Sequence, residues 1–303
     1  MHAAASILCV GELLWDSLPD GLYLGGAPFN VAAHLHALGM PVAMLSRVGR
    51  DRLGAEAVAR VGRHGVPTEL IQIDEHRPTG FVSVALDAEG AATYEILAPA
   101  AWDAIELEDT LVDLATKARA FVFGSLAQRS PASRETIQRL CGRATTRVFD
   151  VNLRPPHDDR EVVRASLLCA EIVKLNEQEL RRLSGWFGLP EGLEGAARAL
   201  AEEFGCETVC VTCGRGGAVL LREGRWSTHP GFTVDVIDTV GAGDAFLAAF
   251  LRGYLAGFDD AALLAHANRL GAFVASRAGA IPTLDRGAWE EWTAEVGPLR
   301  PPR

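Results

Sequence analysis

Short apolar runs and longer amphipathic stretches take turns along most of this chain. The first run, Ile7 to Gly11, reads as a strand, with a polar exit over Glu12 to Asp16 and a Pro-Asp-Gly turn at Pro19 to Gly21. Leu22 to Leu24 is a short extended piece. Between Gly25 and Gly39 the apolar spacing turns helical, with Pro28 suited to a first turn and Gly39 to a stop. A strand over Val42 to Val48, a helix over Leu53 to His64 and a strand over Glu69 to Ile73 follow. This succession predicts a parallel sheet with crossover helices.

The rhythm breaks between Thr79 and Leu97, where two extended runs flank Ala88, Glu89 and Gly90 and predict a β-hairpin. With the piece at Leu22 to Leu24, it predicts a small second sheet, a lid formed by about residues 20–26 and 79–98. Alternation then resumes. Helices are predicted over Asp109 to Lys117, Pro131 to Cys141, Arg160 to Cys169, Glu177 to Leu183 and Glu194 to Phe204. Strands are predicted over Ala120 to Phe123, Arg147 to Val151, Ile172 to Leu175 and Thr208 to Cys213, then a hairpin of Ala218 to Arg222 and Arg225 to His229. Helices over Gly243 to Leu255, Asp260 to Arg277 and Ala288 to Val296 complete a single domain, residues 1–303, of α/β class.

Composition narrows the partners. The 303 residues are 49% hydrophobic, enough for a large core, and a formal net charge of -10 offers no electrostatic footprint for nucleic acid or an anionic membrane. No apolar run approaches the length needed to cross a bilayer. The six cysteines are scattered through apolar segments, which predicts thiols in a reducing, cytoplasmic setting. Cys206, Cys210 and Cys213 fall in a strand-like run without a fourth metal ligand nearby.

The chemistry concentrates in DTVGAGDAF, Asp238 to Phe246. Small residues let the amides of Gly241, Ala242 and Gly243 point inward at a helix start, where orphan N–H groups and the helix dipole favour an anion. A carboxylate beside such a site, Asp244, suits proton abstraction from an attacking hydroxyl, which makes phosphoryl transfer the first hypothesis. A tightly packed glycine turn with Asp244 as a helix cap accounts for the same residues. Gly25 and Gly26 open the earlier helix similarly, with Asn30 one turn inside, either facing hydroxyl groups or incidental. Polar clusters at Ser125 to Arg129, Asp150 to Pro156 and Lys174 to Leu180 follow predicted strands, where open α/β sheets place ligands.

Taken together, GELLWD, GGAPFNVAAHLHALG, the hairpin, AWD, GSLAQRS, DVNLRPP, NEQE, TCGRGG and DTVGAGDAF resemble, in order, the ribokinase-like (PfkB) carbohydrate kinases, bacterial fructokinase-like members above all. The resemblance spans nearly the whole chain. It implies a three-layer α/β/α ribokinase-like fold with a mostly parallel central sheet and a small β lid. It also implies transfer from ATP, with Mg2+, to a primary hydroxyl of a small sugar.

On this resemblance Asp244 is the catalytic base and Gly241, Ala242 and Gly243 the anion hole. The sugar site falls on Asp16, Gly25, Gly26 and Asn30, with Arg154 matching an arginine of fructokinase-like and ketodeoxygluconate kinase-like members. The nucleotide falls on Asn176, Thr212, Gly214, Gly217 and Asn268. Glu179 acts on Mg2+ through water, and Asp238 accompanies a K+ site found in many members. Fructose leads as acceptor, ahead of 2-keto-3-deoxygluconate, ribose or a nucleoside. Some members dimerise through paired lid strands, and a homodimer through the lid is open here. A dinucleotide-dependent oxidoreductase shares the alternating βα units, but GELLWD rather than Gly-x-Gly-x-x-Gly follows the first strand. A non-catalytic sugar-binding protein on the same fold would have no need of Asp244.

Overall fold

The computed structural model describes residues 7–18, 21–86 and 92–283. The expected hairpin tip at Ala88 to Gly90 and the helix over Ala288 to Val296 lie outside them. The chain begins with β1 (Ile7–Val10), β2 (Leu14–Leu18), β3 (Gly21–Gly25), α1 (Ala27–Ala37), β4 (Val42–Gly49), α2 (Arg52–Arg63) and β5 (Ile71–Asp74). It continues through β6 (Gly80–Leu86), β7 (Ala92–Ile96), α3 (Asp109–Lys117), β8 (Ala120–Gly124), α4 (Pro131–Cys141), β9 (Arg147–Asp150) and α5 (Arg160–Cys169). Then come β10 (Ile172–Asn176), α6 (Glu177–Phe187), α7 (Leu193–Phe204), β11 (Thr208–Thr212), β12 (Ala218–Arg222), β13 (Arg225–His229), α8 (Ala242–Leu255) and α9 (Asp260–Ala275).

Nine strands form the central sheet in the order β13-β12-β11-β10-β9-β8-β1-β4-β5. The ladders from β5 to β11 are parallel, and β12 and β13 add an antiparallel edge. Alternate residues of β1 point to opposite layers. Ile7 and Cys9 join the core with Phe29, Ala57, Phe246 and Leu263, whereas Leu8 and Val10 join Leu111, Ile137, Val163 and Leu200. Helices α1, α2, α8 and α9 therefore cover one face and α3 to α7 the other, giving three layers. Strand order reverses around β1, so the crevice at the carboxyl ends of β1 and β8 is the place for a ligand. No helix among the described residues is long and apolar enough to cross a membrane.

Two expectations change. Cys141 and Cys169 are not thiols but form a disulfide, because α4 and α5 end side by side with their Cα atoms 6.7 Å apart, a proximity invisible in spacing. The polar exit expected over Glu12 to Asp16 runs instead into a strand, Leu14 to Leu18. It joins the small sheet, whose order is β3-β2-β6-β7. The strand is short and turns away from β1 at once, so no alternation marks it. Its place is held by buried Leu14 and Trp15, whose indole Nε1 donates to the Leu53 carbonyl (3.0 Å).

One buried ion pair ties this small sheet to the body. Arg129, from the turn after β8, donates through Nε and Nη2 to both carboxylate oxygens of Asp103 (2.8 and 2.9 Å) and through Nη1 and Nη2 to the carbonyls of Ile96 and Leu97 at the end of β7. Its guanidinium also lies 4.0 Å from the centre of the Trp102 ring. Bidentate geometry and backbone partners satisfy the charge that burial would otherwise penalise. Arg129→Ala, which leaves Asp103 buried and unpaired, is expected to cost about 3–5 kcal/mol, read as a lower urea midpoint, whereas Arg139→Ala on the exposed face of α4 changes the midpoint little.

Candidate active site

The start of α8 is shaped by what lies against it. Gly241, its N-cap, has φ 76, the left-handed region, and a Cβ there would come within 2.6 Å of Ala280. The segment after α9 is therefore pressed onto this turn. Asp238 holds it there, accepting from the Val240 and Gly279 amides (2.9 and 3.0 Å). His34 of α1 adds a bond of 2.9 Å from Nε2 to the Ala280 carbonyl, and burial lowers its pKa to about 4, so the ring is neutral. Of the first-turn amides, that of Ala242 turns back to the Thr239 carbonyl (3.3 Å). Gly241 has no side chain to cap the others, and among the described residues the amides of Gly241, Gly243 and Asp244 have no partner, which leaves them as orphan donors of this turn. The expected anion cradle of Gly241, Ala242 and Gly243 falls here, with the Ala242 amide already bonded to Thr239.

Helices α1 and α8 pack together, and Pro28 to Leu35 and Ala245 to Leu251 are buried. This contact joins residues far apart in sequence. Asn30 Nδ2 donates to Asp244 Oδ2 (2.7 Å), while Asn30 Oδ1 is buried without a partner among the described residues. Asn30 thus orients the carboxylate and keeps an acceptor in reserve. Burial raises the Asp244 pKa above the usual carboxylate range, opposed by Lys174, the Asn30 bond and Arg154.

The sugar-side residues also meet. Asp16, on β2, lies beside Gly25, where a Cβ would sit 2.5 Å from Asp16 Oδ2. At Gly26, with φ 115, a Cβ would sit 2.3 Å from the Glu12 carbonyl. Packing therefore demands a glycine at 26, whereas a side chain at 25 would displace the Asp16 carboxylate. Burial pushes Asp16 up to about 6, against the pull of Arg154. Arg154 is exposed, donates to the Leu153 carbonyl (3.0 Å) and acts electrostatically on Asp16, Glu12 and Asp244.

The nucleotide-side candidates line the ends of β10 and β11. Asn176 and Glu179 form a capping box at the start of α6, and the second Glu179 oxygen accepts from the Leu153 amide (2.9 Å). Both motif residues thus have a structural role, tying the Asp150 to Pro156 loop to α6. Thr212 is half-buried at the end of β11, and Gly214, with φ 54, is exposed in the turn. Gly217 (φ 83) is locked by packing, since a Cβ would fall 2.0 Å from the His229 carbonyl. Asn268 is buried on α9 and donates to its own helix at Leu264 (2.8 Å).

Three residues went unmarked by the motif reading. Asp150 and Lys174 are paired across β9 and β10, with Nζ 3.1 and 3.2 Å from the two carboxylate oxygens and both side chains buried. Glu12 is 2% exposed beneath α1 and accepts from the Ala27 amide (3.3 Å) through one oxygen, the other lacking a partner among the described residues. Burial pushes its carboxyl up to about 7, against backbone bonding and Arg154. Glu12 and Asp150 stand inside matched motifs and Lys174 opens the polar cluster before NEQE, but a buried ion pair and a buried acid have no spacing that distinguishes them from surface charges.

Known proteins share this arrangement of chain. A family model described as pfkB family carbohydrate kinase matches residues 20–286. A sugar kinase of Pyrococcus horikoshii is 32% identical, covering 93% of this chain and 91% of its own. Its structure in complex with ATP superposes with a TM-score of 0.78 over 93% of this chain and 96% of that one, at 29% identity. Fructokinase from Klebsiella pneumoniae is 31% identical over 92% of this chain and 95% of its own. Fructokinase from Xylella fastidiosa with bound ATP gives a TM-score of 0.81 at 26% identity, covering 97% of this chain and 99% of that one. By its sequence, its three-layer ribokinase-like fold and these relatives, the chain belongs to the pfkB family of carbohydrate kinases.

Proposed function

We propose that the protein moves the γ-phosphoryl group of ATP to the primary hydroxyl of a small sugar, with fructose the first acceptor, as in its fructokinase relatives. The observation that carries this reading is the hydrogen bond from Asn30 to Asp244 (2.7 Å) at the first turn of α8, beside the amides of Gly243 and Asp244. Asp244 takes the proton of the attacking hydroxyl, held by Asn30 in the orientation that reaction needs. The two amides and the α8 dipole favour the charge that gathers on the transferred phosphoryl. Asp16, Gly25 and Gly26 line the acceptor side, where Arg154 offers a guanidinium to polar groups. Asn176, Thr212, Gly214, Gly217 and Asn268 line the nucleotide side.

The donor set fits a water-mediated metal. Both Glu179 oxygens already accept amides, which suits an outer contact to Mg2+ brought in on nucleotide phosphates. When bound, that ion neutralises phosphate charge. Asp238, whose oxygens brace two loops, stays as the marker of a K+ site. The small sheet is read as a lid that excludes water from a single kinase domain, residues 1–303. Leu22 and Tyr23 are exposed on its edge strand β3, a surface for pairing with a second copy. The setting that supplies ATP and free sugar is the cytoplasm.

A coupled ADP-release assay across fructose, 2-keto-3-deoxygluconate, ribose and nucleosides tests the acceptor, and release with none of them sinks the reading. Asp244→Asn is expected to lower kcat by about two to four orders of magnitude with KM for ATP little changed. Near-normal kcat in that variant removes Asp244 from the chemistry. Because burial raises the Asp244 pKa and the base must be ionised, kcat/KM for the sugar is expected to fall as pH drops through that raised value and to level off above it. A flat acidic profile contradicts this.

A further inference from the structure

The Asp150–Lys174 pair is expensive where it stands. Taking both charges out of water costs several kcal/mol per ion before their attraction offsets it, and a well-packed apolar pair is often no worse. Its position is stranger still. A Cβ on Gly243 would lie 3.1 Å from Lys174 Nζ, so the ammonium rests against the first turn of α8. That is the positive end of a helix dipole, where a cation is disfavoured unless an anion belongs there too. Gly243, expected to lend its amide to an anion hole, is also the residue that leaves room for this lysine.

The groups that face Asp244 come from several elements: Lys174 from β10, Asp150 from β9, Arg154 from the loop after β9, Glu12 from the turn after β1 and neutral Asn30 from α1. Among the charges that favour ionised Asp244, Lys174 stands first, ahead of Arg154. Burial opposes the lysine's charge, and Asp150, Asp244 and Glu179 together outweigh that, so it stays an ammonium. Asp150 and Glu179, also raised by burial, feel the same lysine, whereas Glu12 and Asp16 respond to Arg154.

We propose that Lys174 is a positioning residue of the phosphoryl transfer: anchored by Asp150, its ammonium lies against Gly243 and supplies the positive charge that holds Asp244 as a carboxylate. This rests on the kinase reading above, with Asp244 as the base. It makes a prediction that a packing role does not. Removing the lysine's charge disfavours ionised Asp244, whereas removing the charge of Asp150 leaves the ammonium uncompensated and favours it.

The test is the pH profile of kcat/KM for the sugar at saturating ATP. In Lys174→Met the acidic limb is expected to move up by about one pH unit or more. In Asp150→Asn it moves down, in Lys174→Arg it returns toward the wild-type position, and in Lys174→Met/Asp150→Asn it lies between the single variants. Should Lys174→Met fail to fold, Asp150→Asn and the double variant, whose buried charges are removed together, carry the comparison. A limb that stays put in both single variants, one that moves the same way in Lys174→Met as in Asp150→Asn, or a double variant whose limb lies at or below that of Asp150→Asn, overturns the proposal and leaves phosphoryl transfer standing. A wild-type protein that releases no ADP with any sugar sinks both.

Discussion

The proposed chemistry depends on the packing of α1 against α8. Each helix begins at a glycine turn near the carboxyl edge of the main sheet, and each is buried along most of its length. Their contact brings Asn30 within 2.7 Å of Asp244. The bond is short, partly buried and charge-assisted, the class that holds a geometry best. Glycine is what makes the approach feasible: Gly26 over the Glu12 carbonyl and Gly241 under Ala280 both lack room for a Cβ.

The site gathers acids where burial disfavours them. Glu12, Asp16 and Asp244 all have pKa values raised chiefly by burial, and the opposing charges come from Arg154 and Lys174. A cluster of this kind does not maximise stability, since each buried charge must be offset by a partner or a backbone amide. It does make the protonation of a base responsive to its neighbours, which is what general-base chemistry near neutral pH requires. The same economy of parts is visible in Glu179, whose two oxygens cap α6 and tether the loop that carries Arg154.

The small sheet stands on a different footing. It is joined to the body by strand β2, which leaves β1 through a short turn, and by Arg129, which grips Asp103 and the end of β7. AWD and the arginine of GSLAQRS, which served the family resemblance as motifs, are therefore the two halves of an anchor. The sheet is thus fixed at its root, with β3 at one edge.

By itself the sequence determined most of the elements. Apolar periodicity located α4 and α5 at their observed bounds, where the structure shows Pro131 in the first turn of one and Asp159 capping the other, and the β12–β13 hairpin was equally legible. Local patterns suffice there because propensity, capping and turn chemistry act over a few residues. The glycine turns do open two helices, α1 at Gly26 and α8 at Gly241. What the tertiary structure alone decided are the meetings: β2 as a strand of the second sheet, the Cys141–Cys169 bond, Asn30 on Asp244, and Lys174 between Asp150 and Gly243. None of these has a spacing signature, because the partners lie on different elements and only burial, which removes water and narrows the choice of neighbours, commits one side chain to another.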